Sequence, residues 1–363
     1  MHQRAGFGLN SNGCTIFARF RFGFLNTNWH FAHVFGESDE LPAHPHFGDF
    51  IGPPAGKGAR VNRAITFLEV GPRDGLQNEK ALVSTADKLE LIRRSIAAGA
   101  RRIEVTSFVN PKRVPQMADA EAVCAGLPKV DGVSYIGLVL NAKGAERAIA
   151  TGALHELGAV CVATDSFAIA NQGQTSGESV DAAKAIIAMA QAAGLKGQVT
   201  IGASFGCPFE GEVSEDRVVA MAVALAQANP IEVGLADTIG VADPAHVSRL
   251  VRRVVEAIAP VPVRVHFHNT RGTGIANVWA AVEAGASVVD AALGGLGGCP
   301  FAPGAAGNVS SEDVVYMLGR AGVATGMNLG TMIETNRWLA DVMGRKLPGM
   351  VAQAPAFPKS DQE

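Results

Sequence analysis

Residues 262–274 read PVRVHFHNTRGTG, with two histidines one residue apart near the centre. On a β-strand, side chains two residues apart point to the same face, so His266 and His268 project together while Phe267 faces the other way. Two adjacent imidazoles can hold a metal ion, although an isolated pair of this kind is more often a solvated strand face. The polar residues that follow end the strand and open a loop, where functional groups of α/β proteins concentrate.

Outward from this strand, short apolar runs alternate with helical patterns from Ile65 onward, which indicates repeated βα units and a parallel sheet. The predicted strands are Ile65–Val70, Arg102–Thr106, Ser134–Leu140, Glu156–Ala163, Val199–Ser204, Ile231–Ala236, Val263–His268 and Val288–Ala292. Eight strands, each followed by a helix, favour a closed (β/α)8 TIM barrel over a doubly wound open sheet.

Three segments follow from the same pattern. Residues 63–325 are predicted to form the barrel, and residues 326–363 an extra C-terminal helix and a polar tail. Residues 1–62 differ in composition and show no persistent period, so we expect a poorly ordered N-terminal extension. We expect a cytoplasmic protein, with mitochondrial targeting by about the first 36 residues as the alternative.

Composition limits the classes of function. The 363 residues are 48% hydrophobic and 18% charged, with a net charge of −3 and no basic run, so nucleic acid is not an expected partner. No apolar run approaches the roughly 18 residues that cross a bilayer. The five cysteines are widely spaced without a Cys-x-x-Cys pair, which indicates reduced thiols rather than a disulfide or zinc scaffold.

In a TIM barrel the active site lies at the carboxyl ends of the strands. The polar residues predicted there are Arg73, Asp74, Glu104, Asp237, His266, His268, Cys299 and Asn308. Asp74, both histidines and the amide oxygen of Asn308 would supply four oxygen and nitrogen ligands, which suit Mg²⁺ or Mn²⁺. Two histidines and one carboxylate could instead form a non-haem iron triad, but the extra amide and the adjacent arginine favour a redox-neutral Lewis acid.

Six motifs in order resemble the 3-hydroxy-3-methylglutaryl-CoA (HMG-CoA) lyase family, and the resemblance runs from about Ile65 to Arg345. They are Phe67–Lys80 (FLEVGPRDGLQNEK), Thr106–Met117, Gly206–Gly211, Asp237–Gly240, Gly294–Pro300 and Gly307–Asp313. The resemblance implies a metal-dependent retro-Claisen cleavage of an acyl-CoA thioester that yields acetyl-CoA and a keto acid. It also implies a homodimer.

The resemblance assigns roles to the candidate residues. Asp74, His266, His268 and Asn308 would hold the cation, Arg73 would meet the thioester oxygen, and Cys299 would donate a proton from a mobile loop. We interpret Glu104 as orienting Arg73. Asp74 and His266 are both candidates for the base that takes the alcohol proton. The expected contacts to substrate and CoA are Arg73, Gln77, Lys80, Asn171 and Arg271.

The sequence departs from the family at two places near the site. Many members carry Asp and an aromatic residue at the positions of Asn269 and Arg271, and commonly an Arg near Gln198, just before strand 5. We therefore hypothesise that a cation has moved between loops and that Arg271 pairs with a polar group of the acyl chain, which would alter substrate preference.

Four alternatives remain from the sequence. One is a lyase for another 3-hydroxy-3-carboxymethyl-acyl-CoA, such as citramalyl-CoA. A Claisen synthase of the isopropylmalate or homocitrate type usually has a long C-terminal regulatory region, whereas this chain has about forty residues after its barrel. A pyruvate-type aldolase would act on 2-oxo acids instead of thioesters. A catalytically silent barrel is the fourth alternative, and the intact set of site residues argues against it.

Overall fold

The structure is a computed structural model that describes residues 63–298, 307–355 and 357. The predicted N-terminal extension, residues 1–62, and the predicted proton donor Cys299 lie outside the described residues. No helix within the described ranges is long and apolar enough to cross a membrane.

Within these ranges, eight parallel strands form a closed barrel in sequence order, with the eighth pairing back to the first. The strands are β1 (Thr66–Glu69), β2 (Arg102–Ser107), β3 (Ser134–Val139), β4 (Glu156–Val162), β5 (Lys196–Gly202), β6 (Val233–Asp237), β7 (Val263–Phe267) and β8 (Val288–Ala291). The predicted TIM barrel is confirmed, and most of the predicted strand ends differ from the observed ones by only one or two residues.

Helices follow the strands and cover the outside of the barrel. They are α1 (Thr85–Ala97), α2 (Ala120–Ala125), α3 (Ala142–Ala150), α4 (Asp165–Gln172), α5 (Ser176–Ala192), α6 (Glu215–Ala226), α7 (Pro244–Ile258), α8 (Gly274–Glu283), α9 (Ser311–Arg320) and α10 (Leu329–Met343). Their starts are encoded locally: Ser84 accepts the Asp87 amide, and Thr175 forms a capping box with Glu178.

The main core lies between the strands and this helical layer. Outward-facing strand residues such as Leu157, Ile201, Leu235 and Val265 are completely buried there. The inner face of the barrel is buried as well, but it carries charged side chains such as Glu156, Arg264 and Asp290, so the apolar positions of the strands are mainly those that face the helices.

The extra C-terminal helix is α10, which packs against α1. Leu339 faces the core, while the guanidinium of Arg94 stacks over the Trp338 ring with its central carbon 4.7 Å from the ring centroid. Two further short strands, Arg63–Ala64 and Val323–Ala324, pair in parallel beside the barrel.

Candidate active site

Three predicted metal ligands meet at the carboxyl end of the barrel. Asp74 lies in a single π-helical turn, Gly71–Gly75, directly after β1, and the two histidines lie at the end of β7. The Asp74 Oδ2 atom is 3.9 Å from His266 Nε2 and 4.0 Å from His268 Nε2. All three ligand atoms lie within 4.8 Å of one another, close enough to share one ion.

Asn308 completes this group from the opposite end of the chain. Its main chain bridges to His268, and its Nδ2 atom donates to Asp74 Oδ2 at 2.8 Å. Among the described residues, its buried Oδ1 atom has no hydrogen-bond partner. A buried acceptor without a partner is costly, so this amide fits a role as a ligand to a cation.

Arg73 fixes the charge of Asp74. Its guanidinium bridges Asp74 and both carboxylate oxygens of Glu104 on β2. Burial would raise the pKa of Asp74, but Arg73 and the two histidines hold that pKa well below its usual range. Asp74 is therefore an anion, and Glu104 contacts two nitrogens of the Arg73 guanidinium.

The orientation of His266 is set by Asp290 on β8, a residue that the sequence interpretation missed. Asp290 Oδ1 lies 2.7 Å from His266 Nδ1, and its other oxygen is paired with Arg264. Burial would raise the pKa of Asp290, yet His266 and Arg264 lower it, so Asp290 is an acceptor and Nδ1 carries the proton. The Nε2 lone pair of His266 is thereby directed toward Asp74.

The second imidazole is neutral. Burial and the neighbouring His266 lower the pKa of His268 to about 4. A neutral imidazole is the form that binds a metal.

Ion pairs continue from this site into the barrel interior. Arg264 forms ion pairs with Asp290 and Glu232. In the pair with Glu232, Arg264 Nε is 2.9 Å from Glu232 Oε1, but the angle between the two groups excludes a hydrogen bond. Arg102 pairs with Glu232 and Glu156 at the far end. The ion pairs form two groups, one of Arg73, Asp74 and Glu104 and one of Arg102, Arg264, Glu156, Glu232 and Asp290. The His266 imidazole links the two groups through Asp74 and Asp290. The three guanidiniums and five carboxylates sum to two negative charges. Burial would lower the pKa of His266, but Asp290 and Asp74 raise it, so a protonated His266 or a bound cation offsets this negative charge.

A cavity opens in front of the three ligands. Its lining includes the charged side chains of Arg73 and Glu104 and apolar side chains such as Leu138, Val160 and Phe167. Gln77 and Asn171, both predicted to contact substrate, line the same cavity. Gln77 is held in place because its Oε1 atom accepts from the Ser107 hydroxyl at 3.0 Å.

Lys80 lies beside this cavity, in a second hollow with Arg345. Gly298, the residue before Cys299, lines both hollows. The segment that leads to Cys299 therefore borders the cavity.

These features match one known family. The model of the family described as HMGL-like matches residues 64–339. The chain belongs to the HMGL-like family. The resemblance predicted from six sequence motifs is confirmed.

Individual members share most of the chain. (R)-citramalyl-CoA lyase of Chloroflexus aurantiacus is 43% identical over 307 residues, covering 82% of this chain and 96% of that protein. Human mitochondrial hydroxymethylglutaryl-CoA lyase is 40% identical over 292 residues, covering 80% and 90%. One similar solved structure is that of an HMG-CoA lyase from Acinetobacter baumannii in complex with coenzyme A and 3-methylmalate. Its sequence is 40% identical to this one, the TM-score is 0.78, and the match covers 82% of this chain and 97% of that one.

The two departures from the family pattern have different structural outcomes. Arg271 is not among the described residues that line the cavity. Its guanidinium donates to the carbonyls of Ile239 and Gly240 in the loop after β6. Its contact with the acyl chain of the substrate stays a prediction. Gln198 lies in the barrel interior and donates to Glu156, and the cation near β5 is Arg264, which donates to Thr200.

Proposed function

We propose that this protein is a metal-dependent carbon–carbon lyase that cleaves HMG-CoA to acetyl-CoA and acetoacetate. The observation that carries the proposal is the convergence of Asp74, His266 and His268 on one point, with the Arg73 guanidinium in the same cavity. Relatives named as lyases for this substrate cover most of the chain.

Asp74, His266, His268 and Asn308 would hold the divalent cation, and their oxygen and nitrogen donors suit Mg²⁺ or Mn²⁺. When bound, such a cation lowers the pKa of a coordinated hydroxyl and so eases loss of the proton from a tertiary alcohol. The protein prepares this site by keeping Asp74 ionised and by pointing His266 Nε2 toward it.

Arg73 would stabilise the other product of the bond cleavage. When the carbon–carbon bond breaks, the acetyl thioester leaves as an enolate, whose charge needs a fixed positive partner. Arg73 is held between Glu104 and Asp74, and these carboxylates raise its pKa further, so it remains a cation throughout. Cys299 follows the cavity-lining Gly298 and would then protonate the enolate carbon.

Binding of the substrate would use both hollows. Gln77 and Asn171 face the acyl part, while Lys80 is exposed in the neighbouring hollow, where it could meet CoA phosphates. The apolar side chains that line the cavity would receive the methyl group of the substrate and exclude water from the reacting atoms.

Citramalyl-CoA is the second candidate substrate. It is one methylene shorter than HMG-CoA, and it is supported by the 43% identical citramalyl-CoA lyase and by the 3-methylmalate in the Acinetobacter structure. Cleavage of this substrate would release pyruvate instead of acetoacetate.

Acetyl-CoA release from the two thioesters, with Mg²⁺, with Mn²⁺ and with a chelator, tests the proposal. We expect metal-dependent release with acetoacetate as the second product, whereas pyruvate as the preferred product would select the alternative. Asp74→Asn serves as the control because it removes an anionic ligand while retaining the shape of the side chain. Absence of acetyl-CoA from both thioesters with either metal would contradict the proposed class of reaction.

A further inference from the structure

Glu69, at the end of β1, is a completely buried carboxylate that the proposed chemistry does not use. Its Oε1 atom accepts hydrogen bonds from the amides of Gly71 at 2.7 Å and Leu293 at 2.9 Å. Its Oε2 atom accepts from the Ser311 hydroxyl at 2.7 Å. One side chain therefore joins the turn after β1 to two segments that lie more than 200 residues further along the chain.

Each of these segments carries a part of the site. Gly71 begins the turn that presents Arg73 and Asp74. Leu293 begins the short 3₁₀ turn Leu293–Gly295, which leads to Gly298 in the cavity wall. Ser311 begins α9, three residues after Asn308.

The fit around Glu69 leaves no room for adjustment at Gly71. A Cβ atom at this position would lie 2.6 Å from Glu69 Oε1 and 3.2 Å from the Leu293 nitrogen. Real Cβ atoms do not approach oxygen that closely, so glycine is required for the carboxylate to reach both amides. The contact between the first and the last loop depends on this pair of residues.

A second buried carboxylate holds the next residue of the same turn. Glu312 on α9 accepts from the amide of Gly294 at 3.1 Å and from the side chain of Asn336 on α10. Consecutive amides, those of Leu293 and Gly294, are thus fixed by different carboxylates. Burial raises the pKa of Glu69 to about 7 and also raises that of Glu312. Two buried acids that are costly to ionise are a poor means of stabilising a core, so their position requires another reason.

We propose that Glu69 is a positioning residue that holds the Arg73–Asp74 turn, the Leu293–Gly298 segment and the start of α9 in register, so that Asp74 and Asn308 meet the histidines. The inference rests on the proposed function for its catalytic consequence. Its structural consequence, a correctly assembled set of ligands, does not depend on which thioester is cleaved.

Two substitutions whose side chains are similar in length to glutamate distinguish a positioning role of Glu69 from a packing role. Glu69→Gln retains an acceptor for both amides, and its amino group can donate to Ser311, so we expect Mn²⁺ affinity and kcat within about threefold of the unmodified protein. Glu69→Met fills the same space without an acceptor. We expect it to lower Mn²⁺ affinity at least about tenfold and kcat about a hundredfold, because small displacements of ligands and catalytic groups have effects of this size.

Mn²⁺ affinity is measured by titration of the metal-free protein, and hydrogen exchange is followed at the amides of Gly71 and Leu293. We expect faster exchange at these two amides in Glu69→Met and unchanged exchange in Glu69→Gln. Leu225→Ala on α6, a fully buried site outside the cavity, is the matched control for a loss of stability. It should lower the melting temperature without altering Mn²⁺ affinity.

A folded Glu69→Met variant with normal Mn²⁺ affinity and normal exchange would overturn the proposal. So would an equal loss of Mn²⁺ affinity in Leu225→Ala. If Glu69→Met does not fold, Gly71→Ala decides: it retains the carboxylate but displaces it, and normal Mn²⁺ affinity in that variant would also overturn the proposal. An unmodified protein that binds Mn²⁺ but cleaves neither thioester would refute the proposed function alone.

Discussion

Arg73 has a fork of donors that engages two carboxylates at once, which determines how it can act. Lysine at this position would keep the charge but could not bridge Glu104 and Asp74 together, so its ammonium group would not be held toward the cavity. We expect Arg73→Lys to lower kcat by a factor of about 10² to 10³, the usual cost of losing one preorganised oxyanion contact. Steady-state kinetics would check this.

The control for that prediction is Glu104→Gln, which leaves Arg73 in place with one of its acceptors weakened. We expect a smaller loss of kcat than in Arg73→Lys. Full activity in Arg73→Lys would show that charge alone is sufficient and that the fixed geometry of the guanidinium has no role.

Asp290 gives a second prediction for a single residue. In Asp290→Asn the amide can present either oxygen or nitrogen to His266, so Nδ1 of the histidine is no longer held as a donor and Nε2 is no longer directed toward Asp74. We expect Mn²⁺ affinity to fall about 10- to 100-fold, as is typical when the partner of a ligating histidine is lost. Asp119→Asn, which alters an ion pair with Lys88 outside the barrel, should leave the affinity unchanged.

Sequence reasoning found the residues that project into the cavity but, apart from Glu104, not those that support them. Asp74, His266 and His268 each follow or end an apolar run, so the end of a predicted strand is enough to locate them. Asp290 and Arg264 sit inside such runs, and their partners come from other strands. The contacts of Arg271 could not be predicted either, because a loop side chain can turn to backbone carbonyls that only the folded structure brings near.

At the scale of whole elements, the barrel strands were predictable because each carries buried apolar residues on the face that packs against the helices. The short turns between strand and helix were not. Gly71–Gly75 is a π-helical turn, whose position depends on Glu69 and on the distant amide of Leu293. Contacts of this kind leave no local period in the sequence.

Helix α7 offers a prediction at this scale. The Asp243 carboxylate accepts from the amides of Ala245 and His246 at the start of the helix, and these hydrogen bonds lower its pKa. We expect Asp243→Ala to reduce the free energy of unfolding by about 1 kcal/mol near neutral pH. Because the folded-state pKa is depressed, this contribution exists above the ordinary pKa of Asp and is lost as pH falls through the folded-state value.

Denaturant unfolding of both proteins between pH 7 and pH 3 measures this difference. The difference in free energy of unfolding between Asp243→Ala and the unmodified protein should decrease toward low pH. A gap that stays constant over this range would mean that the charge of the cap contributes nothing and that the substitution acts through helix propensity.

For the molecule as a whole, the interior network couples the metal site to the stability of the barrel. Its charged groups extend from Asp74 at the mouth, through His266 and Asp290, to Arg102 and Glu156 at the opposite end, and its carboxylates outnumber its guanidiniums by two. A cation bound by the folded protein alone stabilises it by mass action, by about 2.7 kcal/mol at a concentration one hundred times the Kd. We therefore expect Mn²⁺ to raise the melting temperature of the unmodified protein.

Asp74→Asn should remove most of that increase, because it takes away an anionic ligand and half of the excess carboxylate charge while Arg73 keeps Glu104 as its partner. Scanning calorimetry of both proteins with and without Mn²⁺, at matched ionic strength, measures the effect. NaCl in place of MnCl₂ controls for screening, which acts on exposed charges more than on this buried network. An equal rise in melting temperature in both proteins would place the bound cation elsewhere and would remove the basis for assigning Asp74, His266 and His268 to one metal site.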